Sequence, residues 1–196
     1  MQPCGNKAKW LQIAVNYDRS LSRWSYKKPF YTLAATLLAI QALLLVGSYS
    51  FYMSSQGLST LDSSFAYTSQ VALRFYASLS QHSLLIIRIV HFIDLFFALT
   101  YFLFLSVLIK KVFFPLKLKS TVYFAVLSLP LLTAVFDLCE TLSFVVMSLL
   151  PQQNILVTTQ IASWCTPLKW IFALLVFFAL LGGTTAGLAK ALRQKY

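Results

Sequence analysis

Long apolar runs, broken by a handful of ionisable residues, set the pattern of this chain. Four stretches, near 29–52, 84–109, 122–150 and 161–188, are apolar over lengths that exceed the roughly 20 residues a helix needs to cross a bilayer. They predict four transmembrane helices. Together they take up more than half of the chain and leave no room for a separate soluble domain, so residues 1–196 are expected to form a single membrane domain. The expected fold is an all-α integral membrane protein, a four-transmembrane-helix bundle with an N-terminal amphipathic interfacial helix over 7–24.

That N-terminal segment has a different period. At a helical pitch, Trp10, Ile13, Ala14, Tyr17, Leu21 and Trp24 share one face, and Lys9, Gln12, Asn16, Arg19 and Arg23 share the other. Tryptophans on the apolar edge and arginines opposite suit a helix lying in the headgroup layer, with Trp10, Arg19, Arg23 and Trp24 as lipid-surface anchors. An uncleaved organelle-targeting signal and a surface for a partner are the alternatives. The first span starts at Pro29, which suits a first helical turn. Its single strongly polar interior residue, Gln41, reads as bundle wall. The connection 53–83 opens on a Ser-Ser-Gln-Gly turn. Asp62 can cap a short helix with Phe65, Ala72, Phe75 and Leu79 on one side, laid over the mouth of the bundle. The short connection 151–154 predicts that the third and fourth spans are antiparallel neighbours.

Composition agrees with lipid. The chain is 59% hydrophobic and 11% charged, with a mean hydropathy of +0.74; a soluble domain would carry roughly a quarter charged residues. The net charge of +11 is unevenly spread. Six bases precede the first span, Lys110, Lys111, Lys117 and Lys119 lie between the second and third, and Lys190, Arg193 and Lys195 close the chain. The first and third connections hold Arg74 alone. Positive residues stay on the side of insertion, so both termini are expected on the cytoplasmic or matrix side, against anionic headgroups. Bases that flank spans argue against nucleic acid. Cys4, Cys139 and Cys165 have no metal-finger or redox spacing, and no structural disulfide is expected. No N-glycosylation acceptor is present.

The chemistry lies inside the spans. Asp94, Asp137 and Glu140 are three of only five acidic residues, and with His91 and Lys169 they sit in stretches otherwise fit for lipid. Intramembrane ionisable groups are costly and mark sites. With a rise of ~1.5 Å per residue, these five fall in a band a few ångströms thick, and Arg88 lies nearer the outer interface. Arg88, His91, Asp94 and Tyr101 share an arc opposite Ile89, Ile93, Phe96 and Leu103. Pro130, Thr133, Asp137, Glu140, Thr141 and Ser148 form a stripe on the third span, which Phe144 interrupts as an apolar plug. On the fourth, Ala162, Thr166, Lys169, Ala173, Gly183 and Gly187 line one side, and Gly183–Gly187 has the small-xxx-small spacing of helix packing. The three stripes are expected to face one another. With Arg88 and a protonated His91 the cluster is neutral; with His91 neutral it is −1, so the group could exchange one proton. Trp164 and Trp170 read as interface and packing residues.

Three readings follow. The cluster is a satisfied ion-pair network that fixes register, a lining for a ligand or a proton path, or a catalytic centre with a carboxyl as general acid or base. His91-x-x-Asp94 beside Asp137-x-x-Glu140 puts two ligand types per helix at i, i+3, but the Glu-x-x-His signature of di-iron bundles is absent and Lys169 would repel a cation, so no metal is expected. Nor is a cofactor. Sterol-isomerase and sigma-2-receptor bundles also bury carboxylates among few helices; here the first span is uncharged and the acids sit in the second and third. The expected function is an accessory subunit of a membrane complex or a binder of a small lipophilic or protonatable ligand. A membrane-embedded acid–base enzyme and a proton-coupled transporter are the alternatives. A cavity that reaches the carboxylates would favour a binder or an enzyme; a filled interior would favour a structural subunit.

Overall fold

A computed structural model describes residues 16–17, 21, 27–61, 64–65, 67–149 and 156–193. Its elements are helical: α1 (Lys27–Ser54), α2 (Ser69–Ser78), α3 (Gln81–Phe113), a 3₁₀ turn (Phe114–Leu116), α4 (Ser120–Leu149) and α5 (Leu156–Arg193). α1, α3, α4 and α5 are long and apolar enough to cross a membrane.

Local chemistry explains the boundaries. α1 carries Pro29 in its first turn. It stops in a Schellman arrangement, in which the Gly57 N–H donates to the Tyr52 carbonyl at 2.9 Å and Gln56 takes the left-handed conformation at φ 58°. Thr68 caps α2 and Ser80 caps α3, each side chain accepting a backbone N–H of the first turn. The Ser83 hydroxyl donates to the Ser54 carbonyl at 3.0 Å and ties the start of α3 to the end of α1. Pro115 and a left-handed Lys117 turn the chain from α3 toward α4.

The helices pack in the sequence α1, α3, α4, α5. α1 lies along α3, α3 along α4, and α4 along α5, while α1 has at most marginal contact with α4 and α5 among the described residues. Two apolar cores result. One, at the α2 end, holds Leu61, Ala72, Tyr76, Phe144, Met147 and Ala162. The other holds Leu21, Val107, Ile109, Phe113, Leu127 and Val176. This second end gathers the bases: Lys111 Nζ stands 3.8 Å over the Phe30 ring, and Lys190 donates to the Pro115 carbonyl at 2.9 Å. Between the cores lies the polar layer. The outward faces are apolar, with Leu38, Val46, Ile89, Phe96, Leu142 and Phe178 among the exposed residues. Such a surface suits lipid.

Three expectations are revised. Trp10, Arg19, Arg23 and Trp24 lie outside the described residues. Of the apolar edge to which Trp10 and Trp24 are assigned, Tyr17 and Leu21 turn onto the protein: Leu21 is buried in the basic-end core, and the Tyr17 hydroxyl donates to Ser106 Oγ at 2.8 Å. Burial pushes the Tyr17 phenol above its ordinary range, opposed by the bond to Ser106. The short helix starts at Ser69, capped by Thr68, and Phe65 stands exposed before it; Asp62 lies outside the described residues. Ala72 and Tyr76 are the buried side chains of this helix, and Phe75 and Leu79 pack partly buried against the same core, as their shared face predicts.

The third revision concerns the small residues of α5. A Cβ on Gly183 would stand 2.6 Å from Val112 Cγ1 and 2.7 Å from Phe113 Cζ, so glycine is what lets α5 approach the end of α3. A Cβ on Gly187 would meet nothing within 4 Å. Among the described residues no neighbour stands where a Gly187 side chain would project, because the α3 partner ends at the level of Gly183. Gly183→Val should destabilise the bundle by about 1–3 kcal/mol through overpacking, and Gly187→Val should leave the thermal midpoint in detergent unchanged. Equal effects of the two would contradict the packing.

Candidate functional site

Three-residue steps along α3 keep Arg88, His91 and Asp94 on one broad arc. Their described contacts differ. Arg88 Nε donates to the Ser148 carbonyl at 3.0 Å, and its Nη2 reaches the same oxygen. That carbonyl belongs to the last turn of α4, whose acceptors lack helical donors. Arg88 therefore caps α4 and complements the negative end of its dipole. Its direct partner is therefore a backbone carbonyl and not a carboxylate. His91 stacks on Phe144, with centroids 4.9 Å apart, and its Nε2 lies 3.3 Å from the Tyr76 hydroxyl. This places it in the α2-end core, beneath the helix that crosses that end.

The acids split between two environments. On α4, Asp137 and Glu140 are 5% and 0% exposed. Lys169 of α5 bridges them, with Nζ 3.0 Å from Asp137 Oδ1 and in direct contact with Glu140 Oε2. Glu140 Oε1 accepts from the Thr166 hydroxyl, and Tyr67 Oη lies 3.3 Å from the same hydroxyl. Glu140 is thus sealed between α4 and α5. Asp94 instead accepts from Thr141 at 2.8 Å, which links α3 to α4.

Asp94, Asp137 and Lys169 together line a cleft of about 420 Å³. Its other walls come from α1 (Gln41, Leu44, Leu45, Ser48), α3 (Val90, Phe97, Tyr101, Leu105), Thr133 of α4, and α5 (Trp170, Ala173). The α1 residues recur at i, i+3, i+4 and i+7, one helical face. Gly47 brings that helix close to α3, since a Cβ there would lie 2.8 Å from Val90 Cγ2. Asp137 is within electrostatic reach of the Tyr101 hydroxyl, yet that hydroxyl is buried without a hydrogen bond of acceptable geometry among the described residues. α1 and α5 both wall the cleft, and among the described residues they do not pack along each other.

Gln41 and Trp170 were expected to be wall and interface; both line the cleft. The signal for Gln41 is its heptad spacing from Ser48 in an otherwise apolar span. Folding also brings Cys139 and Cys165, 26 positions apart, within electrostatic reach of each other across α4 and α5; spacing along the chain could not show it. No three His, Cys, Asp or Glu side chains converge as a metal site among the described residues.

Fold and cleft thus define a bundle of four apolar helices with a polar layer at its middle. No protein-family model, no curated protein and no solved structure matches the chain.

Proposed function

We propose that this chain is a membrane-embedded binder of a small amphipathic molecule, held in the cleft between α1, α3, α4 and α5. The observation that carries the reading is the cleft of about 420 Å³ that reaches Asp94, Asp137 and Lys169. A purely structural ion network needs a filled interior, and this volume falls within the range of small-molecule pockets, ~300–1,000 Å³. Leu44, Leu45, Val90, Phe97 and Leu105 offer an apolar body; Gln41, Ser48, Tyr101 and the acids offer a polar end. The α1–α5 seam is the entry route, so the ligand arrives from the lipid. Glu140 and Arg88 have structural roles in this reading, one clamping α4 to α5 and the other capping α4. We propose further that the basic end faces the cytoplasm or matrix and rests on anionic headgroups, as the distribution of lysines and arginines favours.

Ala173→Trp tests the reading. An indole at this position fills the cleft that Ala173 lines. Wild-type protein purified in mild detergent should release a stoichiometric small amphiphile on solvent extraction, read by mass spectrometry, and the variant should lose it while staying folded. Identical extracts from the two proteins would end the proposal.

A further inference from the structure

The charges around the cleft narrow the ligand class, on the premise that the cleft is a binding site. Three carboxylates, Asp94, Asp137 and Glu140, stand against one ammonium, Lys169, and that ammonium is already held between Asp137 and Glu140. Arg88, the other cation on this arc, is committed to the Ser148 carbonyl, six residues or ~9 Å along α3 from Asp94. His91 faces Phe144 and Tyr76. Even a protonated His91 leaves the five groups Asp94, Asp137, Glu140, Lys169 and His91 with a formal excess of one negative charge. From α1 the cleft receives Gln41 and Ser48, neither charged. Counted over these described groups, the polar end of the cleft is rich in acceptors and formally anionic, in surroundings that screen charge far less than water does.

We infer that the ligand is a lipophilic amine, its ammonium seated at the Asp94–Asp137 wall beside the Tyr101 hydroxyl and its alkyl or aryl body among Leu44, Leu45, Val90, Phe97 and Leu105. An ammonium supplies up to three donors, and the site offers two carboxylates and a buried phenol oxygen as acceptors. Phe97 and Trp170 present aromatic rings on the same lining, which adds to the preference for a cation over a neutral head. An anionic amphiphile meets the opposite balance. Protons on the carboxylates and the ammonium compete for the same negative charge, so the amine binds with release of a proton wherever one was held.

Three probes of one length separate the head group from the tail: hexylamine, hexanol and hexanoate at neutral pH. Binding is measured by equilibrium dialysis to the full chain in nanodiscs of zwitterionic lipid, with protein-free nanodiscs as the blank. The expected order is hexylamine tightest, at least about ten-fold over hexanol, with hexanoate weakest. Asp94→Asn should bring hexylamine close to hexanol and leave hexanol itself unmoved. Hexanol or hexanoate binding as well as hexylamine overturns the inference and leaves the amphiphile reading intact. Failure of all three to bind above the blank overturns both. Should Asp94→Asn not fold, the wild-type series alone decides between these outcomes.

Discussion

Lys169→Met is expected to lower the stability of the bundle by about 3 kcal/mol or more, seen as a fall in the thermal midpoint on the order of 10 °C in detergent. The side chain that remains fills much the same space, so the loss is electrostatic. Lys169 Nζ lies 3.0 Å from Asp137 Oδ1 and in contact with Glu140, and Glu140 has no accessible surface. Without the ammonium, the buried carboxylates of Asp137 and Glu140 lose the counter-charge that lies between them. The Thr166 hydroxyl still donates to Glu140, but a neutral hydroxyl cannot offset a charge. Breaking a buried pair by removing one partner costs about 3–5 kcal/mol, and the lower end applies here because helices that separate within a membrane find other partners. The triple variant Lys169→Met, Asp137→Asn, Glu140→Gln should recover most of the loss, since an uncharged replacement of a buried ionic network is often near neutral. An unchanged midpoint for Lys169→Met alone would mean that the network does not hold α4 to α5.

Much of this arrangement could be read along the chain, for a definite reason. A transmembrane span is a property of composition over about 20 residues, so the four long helices follow from the apolar runs. Each helix also fixes which of its own residues share an angle, which put Asp137, Glu140 and Thr141 on one stripe and Thr166 with Lys169 on another. What periodicity cannot supply is the identity of the group across the gap. Arg88 has the right angle and sign to meet the acids, yet it bonds a backbone carbonyl at the end of α4, an acceptor with no sequence signature. Gly183 and Gly187 have equal spacing credentials, and among the described residues the first alone has a helix within reach of its Cβ position. Gln41 looked inert because a polar residue on one span was judged without its neighbours; it acquires meaning only when α1 is set beside α3 and α5 stays apart. Tyr17 and Leu21 show the same limit. An amphipathic face says that something apolar covers it, and here the bundle itself covers those two side chains.

Phe144→Ala should produce the other large effect, at the α2 end. Phe144 is 1% exposed. It stacks on His91 at 4.9 Å and packs on Tyr67 at 6.2 Å between centroids. It sits one helical turn from Glu140, between the acids and the helix α2 that closes this end. Truncating a buried phenylalanine costs about 3–5 kcal/mol in a soluble core. Here the transfer contribution is small, because lipid is as apolar as the protein interior, so the void dominates and about 3 kcal/mol is expected. The second consequence is chemical. His91 loses the ring that covers it, and water gains a path past Tyr76 toward the polar layer. The chain has two histidines, and His82 is exposed in the intact protein while His91 is 3% exposed. Diethyl pyrocarbonate followed by peptide mass mapping should therefore modify His82 alone in the wild type and both histidines in Phe144→Ala, with Phe144→Leu in between. If His91 stays unmodified in the alanine variant and the midpoint holds, the side chain is not the plug, and the acids are shielded from that end by α2 instead.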